Sequence, residues 1–70
     1  MKYLIVIEKT STGYSAYSPD VDGCVATGAT KNEVEKNMQK AIEFHFEGLS
    51  MEKQTIPKPC SYSNYLEVTA

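Results

Sequence analysis

The sequence predicts an α+β domain in the order βββαβ, a mixed four-stranded sheet with one helix packed on one face. Three observations carry that expectation. The chain opens on a β-branched and aromatic run, KYLIVIEK, followed closely by a glycine turn and a second short run. One long stretch in the middle repeats its apolar residues at helical spacing behind a capping signal. Near the end, NYLEV alternates with period two, as a half-buried strand does.

Lys2 to Lys9 is the first predicted strand, and Thr10-Ser11-Thr12-Gly13 is its turn, with Gly13 free to take positive φ. Tyr14 to Ser18 returns as the second strand of a hairpin. Pro19-Asp20-Val21-Asp22-Gly23 interrupts the pairing, because proline cannot donate to a ladder and Asp-Gly favours a turn. Cys24 to Gly28 is a short third strand. Thr30 and Glu33 have the spacing of a capping box, so a helix is expected from about Lys31 to Gly48, with Gly48 as its C-cap. Val34, Met38, Ala41, Ile42, His45 and Leu49 form its apolar stripe, and Glu35, Lys36, Gln39, Lys40, Glu43 and Glu47 its solvated side. Ser50 to Ser61 is a loop stiffened by Pro57 and Pro59, and Asn64 to Val68 is the fourth strand, with Leu66 and Val68 on one face. No repeat or low-complexity tract divides the chain, so residues 1–70 are read as one domain.

Seventy residues lie near the lower limit for a chain that folds alone, and such a chain gains from a partner surface. The net charge is −2 and every basic residue is lysine. Base readout leans on bidentate arginine and duplex binding on a basic stripe, so direct nucleic-acid binding is not expected. A basic protein is the better-matched partner, since opposite fields steer encounter. The first apolar run, Leu4 to Ile7, is too short for an export signal or a membrane span. A reducing cytoplasm is therefore expected, with Cys24 and Cys60 as thiols and no membrane partner.

Leu4 and Val6 alternate with Tyr3, Ile5 and Ile7, so the first strand is apolar on both faces. One helix covers only one face, and the other requires cover from outside. Tyr3, Ile5 and Ile7, together with Phe44 off the centre of the helix stripe, are the candidate interface of a homo-oligomer, a dimer or tetramer.

Chemistry is sparse. Asp20-x-Asp22 has the spacing of a cation pair, yet Asp and Gly beside proline are also what a tight turn selects, and no further ligand follows. No metal or other cofactor is expected. His45 is the sole histidine and falls in the apolar stripe, where a hydrogen-bonded core histidine is expected, so no triad can be built. An enzyme reading would rest on Glu8, Asp20, Asp22 and Glu33 alone, and catalysis is not expected.

Three ordered stretches resemble the HicB-like antitoxin family. They are Met1 to Lys9 with its Gly13-Tyr14 return; Tyr17 to Cys24 followed by Gly28-Ala29-Thr30; and the helix from Asn32 to Leu49, ending AIEFHFEGL, with Ile56-Pro57-Lys58-Pro59 behind it. The resemblance implies a partial ribonuclease-H-like fold with the fourth strand beside the first and no nuclease site. It also implies a type II antitoxin that binds and inhibits a HicA-type toxin, a small basic ribonuclease that cuts mRNA. Acidic groups around an aromatic would suit such a partner, which makes Glu8, Tyr17, Asp20 and Asp22 the candidate toxin contacts. Two departures matter. The family has proline where Asp22 stands, which loosens the turn. Many members also append a helix-turn-helix or ribbon-helix-helix segment, absent up to Ala70, so operator binding is not expected. Two alternatives remain: an orphan homo-oligomeric binding module without a toxin, and a remnant nuclease using Glu8 and Asp20.

Overall fold

The computed structural model describes residues 1–70. Its hairpin joins β1 (Val6–Lys9) to β2 (Tyr14–Ser18), and the Thr10 amide donates to the Gly13 carbonyl at 2.8 Å to close the turn. β3 (Val21–Gly28) completes an antiparallel sheet of order β1-β2-β3. The helix α1 (Lys31–Met51) lies across one face. Thr30 caps it as the capping box predicts, its Oγ1 accepting the Glu33 amide at 3.1 Å.

Burial follows period two in the strands and the i, i+4 rule in the helix. Ala16, Val21, Cys24, Val34 and Met38 are buried, and Tyr3, Ile5, Ile7, Tyr14, Ala26, Ile42 and Phe46 pack around them. Tyr3 meets Phe46 edge-on with ring centroids 5.1 Å apart. One polar link ties the layers further, the Asn37 Nδ2 donating to the Thr27 carbonyl at 2.8 Å, and another joins β2 to the segment leading into β1, the Ser18 hydroxyl donating to the Leu4 carbonyl at 2.8 Å.

Several expectations are corrected. Tyr3, Ile5 and Ile7 face the helix, not away from it. Alternation reveals two faces without saying which is inner; the register decides, because Ile7 stands opposite buried Ala16. The ladder of the first strand begins only at Val6, since its partner β2 ends at Ser18 against the proline turn. The third strand starts earlier, at Val21. Tyr17 pairs with Val25 but Ser18 pairs with Val21, so Asp22-Gly23-Cys24 bulge from the ladder, and Gly23 sits at φ 79 there. In the helix, Phe46 packs on the core while His45 is only half-buried, with no hydrogen-bond partner. Met38, Ile42 and Phe46 are spaced by four, and His45 falls on the adjoining flank.

The helix also runs past Gly48 to Met51. Glu52 is the cap, and Lys53, at φ 57, reverses the chain. A Cβ at Gly48 would meet nothing within 4 Å. Gly48→Ala should therefore stabilise the fold by about 0.5–1 kcal/mol. Thermal unfolding should show a midpoint several degrees higher, and a lower midpoint would contradict this helix boundary.

Finally, Asn64 to Val68 forms no ladder. Tyr65, Leu66 and Val68 are 97%, 83% and 80% exposed, so the predicted fourth strand has no partner within the chain. The architecture is three antiparallel strands under one helix.

Candidate functional site

The sheet face opposite the helix is built by the residues that alternate out of the core. In register, Val6 pairs with Tyr17 and Tyr17 with Val25, giving one apolar row across all three strands. Tyr17 is 42% and Val25 71% exposed. Leu4, two residues before β1, alternates to the same side as Val6 and is half-buried, while Glu8, opposite Ser15, which in turn pairs with Thr27, belongs to a polar row beside it. Asp22 is exposed on the bulge of β3. The face thus carries an apolar centre with carboxylates near its margins, suited to a protein partner with a basic rim.

Of the predicted contact residues, Glu8 and Tyr17 share this face, and Asp22 stands at its end. Asp20 has another task. Its Oδ2 accepts the amides of Cys60 and Ser61 at 3.0 and 2.9 Å, and its Oδ1 accepts the Ser61 hydroxyl at 2.7 Å and the Cys60 thiol at 3.1 Å. Both oxygens are engaged, so Asp20 clasps the segment after the helix to the β2–β3 turn. With its carboxylate so used, a cation at Asp20-x-Asp22 has no support. Tyr3 continues the same tether, its hydroxyl donating to the Pro57 carbonyl.

The Ser61 amide and hydroxyl, then the Cys60 thiol, hold the Asp20 carboxyl well below the usual carboxylate range. The same carboxylate pushes the Cys60 thiol up, and burial pushes up Cys24, whose thiol faces the Ala41 carbonyl at 3.8 Å. Because the folded value of Asp20 is depressed, its contribution is complete above the ordinary value of about 3.9 and is lost only as pH falls through the lower folded value. Carbon-13 titration of Asp20 should give a midpoint under that value, with release of Cys60 and Ser61 in step. A midpoint at or above it would show the clasp to be open in solution.

Phe44 is 76% exposed and borders an open groove with Ala41, His45 and Leu49 on one flank of the helix. Tyr3 and Ile5 line another, on the flank that faces the first strand. The interface residues expected together are therefore divided between two places. Val25 was missed as a surface contact, although its alternation with Cys24 and Ala26 would have placed it outward. Cys60 and Ser61 carried no local signal, because their partner lies 40 and 41 residues away. No helix is long and apolar enough to cross a membrane.

Comparison with known proteins gives concordant matches. A family profile described as HicB_like antitoxin of bacterial toxin-antitoxin system matches residues 3–69. Among curated proteins, the chain is 39% identical over 66 residues to an uncharacterized 14.9 kDa protein of Haemophilus phage HP1, covering 94% of this chain and 50% of that one. It is also 39% identical over 57 residues to a UPF0150 protein of Synechocystis, covering 80% of this chain and 72% of the relative. The chain thus spans half the length of the phage relative. Among solved structures, a chain of the HicA3 and HicB3 toxin-antitoxin complex matches with TM-score 0.73 and 38% identity, covering 86% of this chain and 70% of that one. The crystal structure of antitoxin HicB3 matches with TM-score 0.71 and 40% identity, over 81% of this chain and 42% of that one.

Proposed function

The chain belongs to the HicB-like antitoxin family of bacterial toxin–antitoxin systems, and from that premise we propose that it acts by binding and blocking a HicA-type toxin, without catalysis of its own. The observation that carries the proposal is the uncovered sheet face, with Val6, Tyr17 and Val25 in one cross-strand row and Glu8 and Asp22 near its margins. A ribonuclease that attracts RNA presents a basic surface. Glu8 and Asp22 would steer that surface in, and burial of Tyr17 and Val25 would hold it. Asp20 enters as the group that positions the neighbouring turn, since its own carboxylate is occupied.

The similarity to a chain of a HicA3 and HicB3 complex supports the class of partner. The face and residues are this proposal's own. The test is co-expression with a HicA-type toxin, followed by affinity capture and a growth assay. Co-purification and relief of growth arrest are expected. A toxin that is neither captured nor neutralised would overturn the assignment.

A further inference from the structure

We propose that Asn64–Val68 adds as a strand to the free edge of β1 in a second copy of this chain, which returns its own segment in the same way. The segment has a strand's composition but no partner. Tyr62, Leu66 and Val68, on one side by period two, are 89%, 83% and 80% exposed. It also projects from the body. The molecule measures 49 × 27 × 17 Å, whereas a helix of 21 residues spans only about 31 Å.

The acceptor is present on the same chain. β1 has one neighbour, β2, so its other edge offers unpaired backbone groups. Beside it runs a groove of about 560 Å³ between the first strand and the helix, lined by Met1, Tyr3, Ile5, Met38, Ile42 and Phe46. A strand laid on that edge would drop alternate side chains, Leu66 and Val68, onto this apolar floor. The opposite edge is less available, since Asn37 already occupies the Thr27 carbonyl of β3.

Within one chain the two halves are not joined. Tyr3 holds Pro57 and the Asp20 clasp holds Cys60 and Ser61 at the β2–β3 turn, while Asn64–Val68 beyond them stays exposed and pairs with no strand of its own chain. Each copy therefore has one donor strand and one empty acceptor edge. A two-fold exchange fills both and leaves neither over, the closed arrangement that symmetric dimers favour. It also gives Tyr3 and Ile5 an intermolecular contact in their groove on the helix-facing side.

The test reads self-association of the chain first alone and then with a HicA-type toxin added, so its failure leaves the toxin-binding proposal standing. Light scattering and amide hydrogen exchange are measured on the wild type over a dilution series. The expected result is a mass of two chains, or a multiple of two, with the amides of Leu66 to Val68 slowed at least tenfold. Dilution should return mass and exchange together to the one-chain values. Removing Tyr62–Ala70, or making Leu66→Asp with Val68→Asp, should abolish the paired mass. Slowed exchange at one-chain mass, independent of dilution, would mean that the segment folds onto its own β1. A two-chain mass with freely exchanging amides would place the contact elsewhere. Slowing only after a HicA-type toxin is added would assign the segment to the toxin. Each of these three outcomes overturns the proposal.

Discussion

Gly28→Val is expected to leave the chain largely unfolded at room temperature. A Cβ at Gly28 would lie 2.6 Å from the Val34 amide nitrogen, 2.9 Å from its Cα and 3.0 Å from the Glu33 carbonyl carbon. All three atoms are backbone, in the first turns of α1, and cannot swing aside as a side chain does. The helix would have to lift from β3, and Val34, fully buried, would lose its packing. Gly13 does not take the positive φ expected of its turn; close approach requires it instead, since its own Cβ would overlap the Gly28 carbonyl oxygen. Overpacking in a rigid site costs about 1–3 kcal/mol for a small intrusion and more for a β-branched one. A domain of this size has only about 4–10 kcal/mol in total. Gly28→Ala should be folded but weakened, by at least about 2 kcal/mol on the same grounds. Urea titrations of both variants measure this, and a native-like midpoint for Gly28→Val would show that the helix does not seat on β3 as described.

The second large effect concerns the toxin. Tyr17→Ala should weaken binding to a HicA-type toxin mainly by faster dissociation, by about 1–3 kcal/mol. Val25→Asp should do more, because it puts an unpaired charge at the centre of an apolar contact. Both residues are outward, so circular dichroism and thermal unfolding should stay close to wild type. Glu8→Lys with Asp22→Lys should act differently, slowing association and reducing its dependence on salt. Surface plasmon resonance at two salt concentrations separates these behaviours. Equal losses in association rate from all the variants would argue against a steered rim around a buried centre.

Much of the fold was legible in local pattern. The hairpin, the capping box at Thr30 and the core positions Val34 and Met38 all follow from spacing within a few residues. The ordered motifs also pointed to the family that the comparisons show. Errors came wherever a distant residue decides. Ile5 and Ile7 were assigned to the outer face because alternation has no sign until Ala16 and the helix supply one. Asp20 looked like a free carboxylate because its partners, Cys60 and Ser61, are remote in sequence. The core position belongs to Phe46 and not to His45, a difference of one position on a helix whose stripe is apolar beyond what the sheet covers. The strand pattern of Asn64–Val68 was legible, but pattern alone names no partner, and the chain itself provides none.

The most direct measurement is RNA cleavage by a purified HicA-type toxin, titrated with this chain and, in parallel, with its Val25→Asp variant. Cleavage should fall to background with the wild type and persist at the same concentrations of Val25→Asp, while both proteins remain folded. Undiminished cleavage in excess wild-type chain would contradict neutralisation by binding, and equal inhibition by Val25→Asp would contradict the uncovered sheet face as the surface that does it.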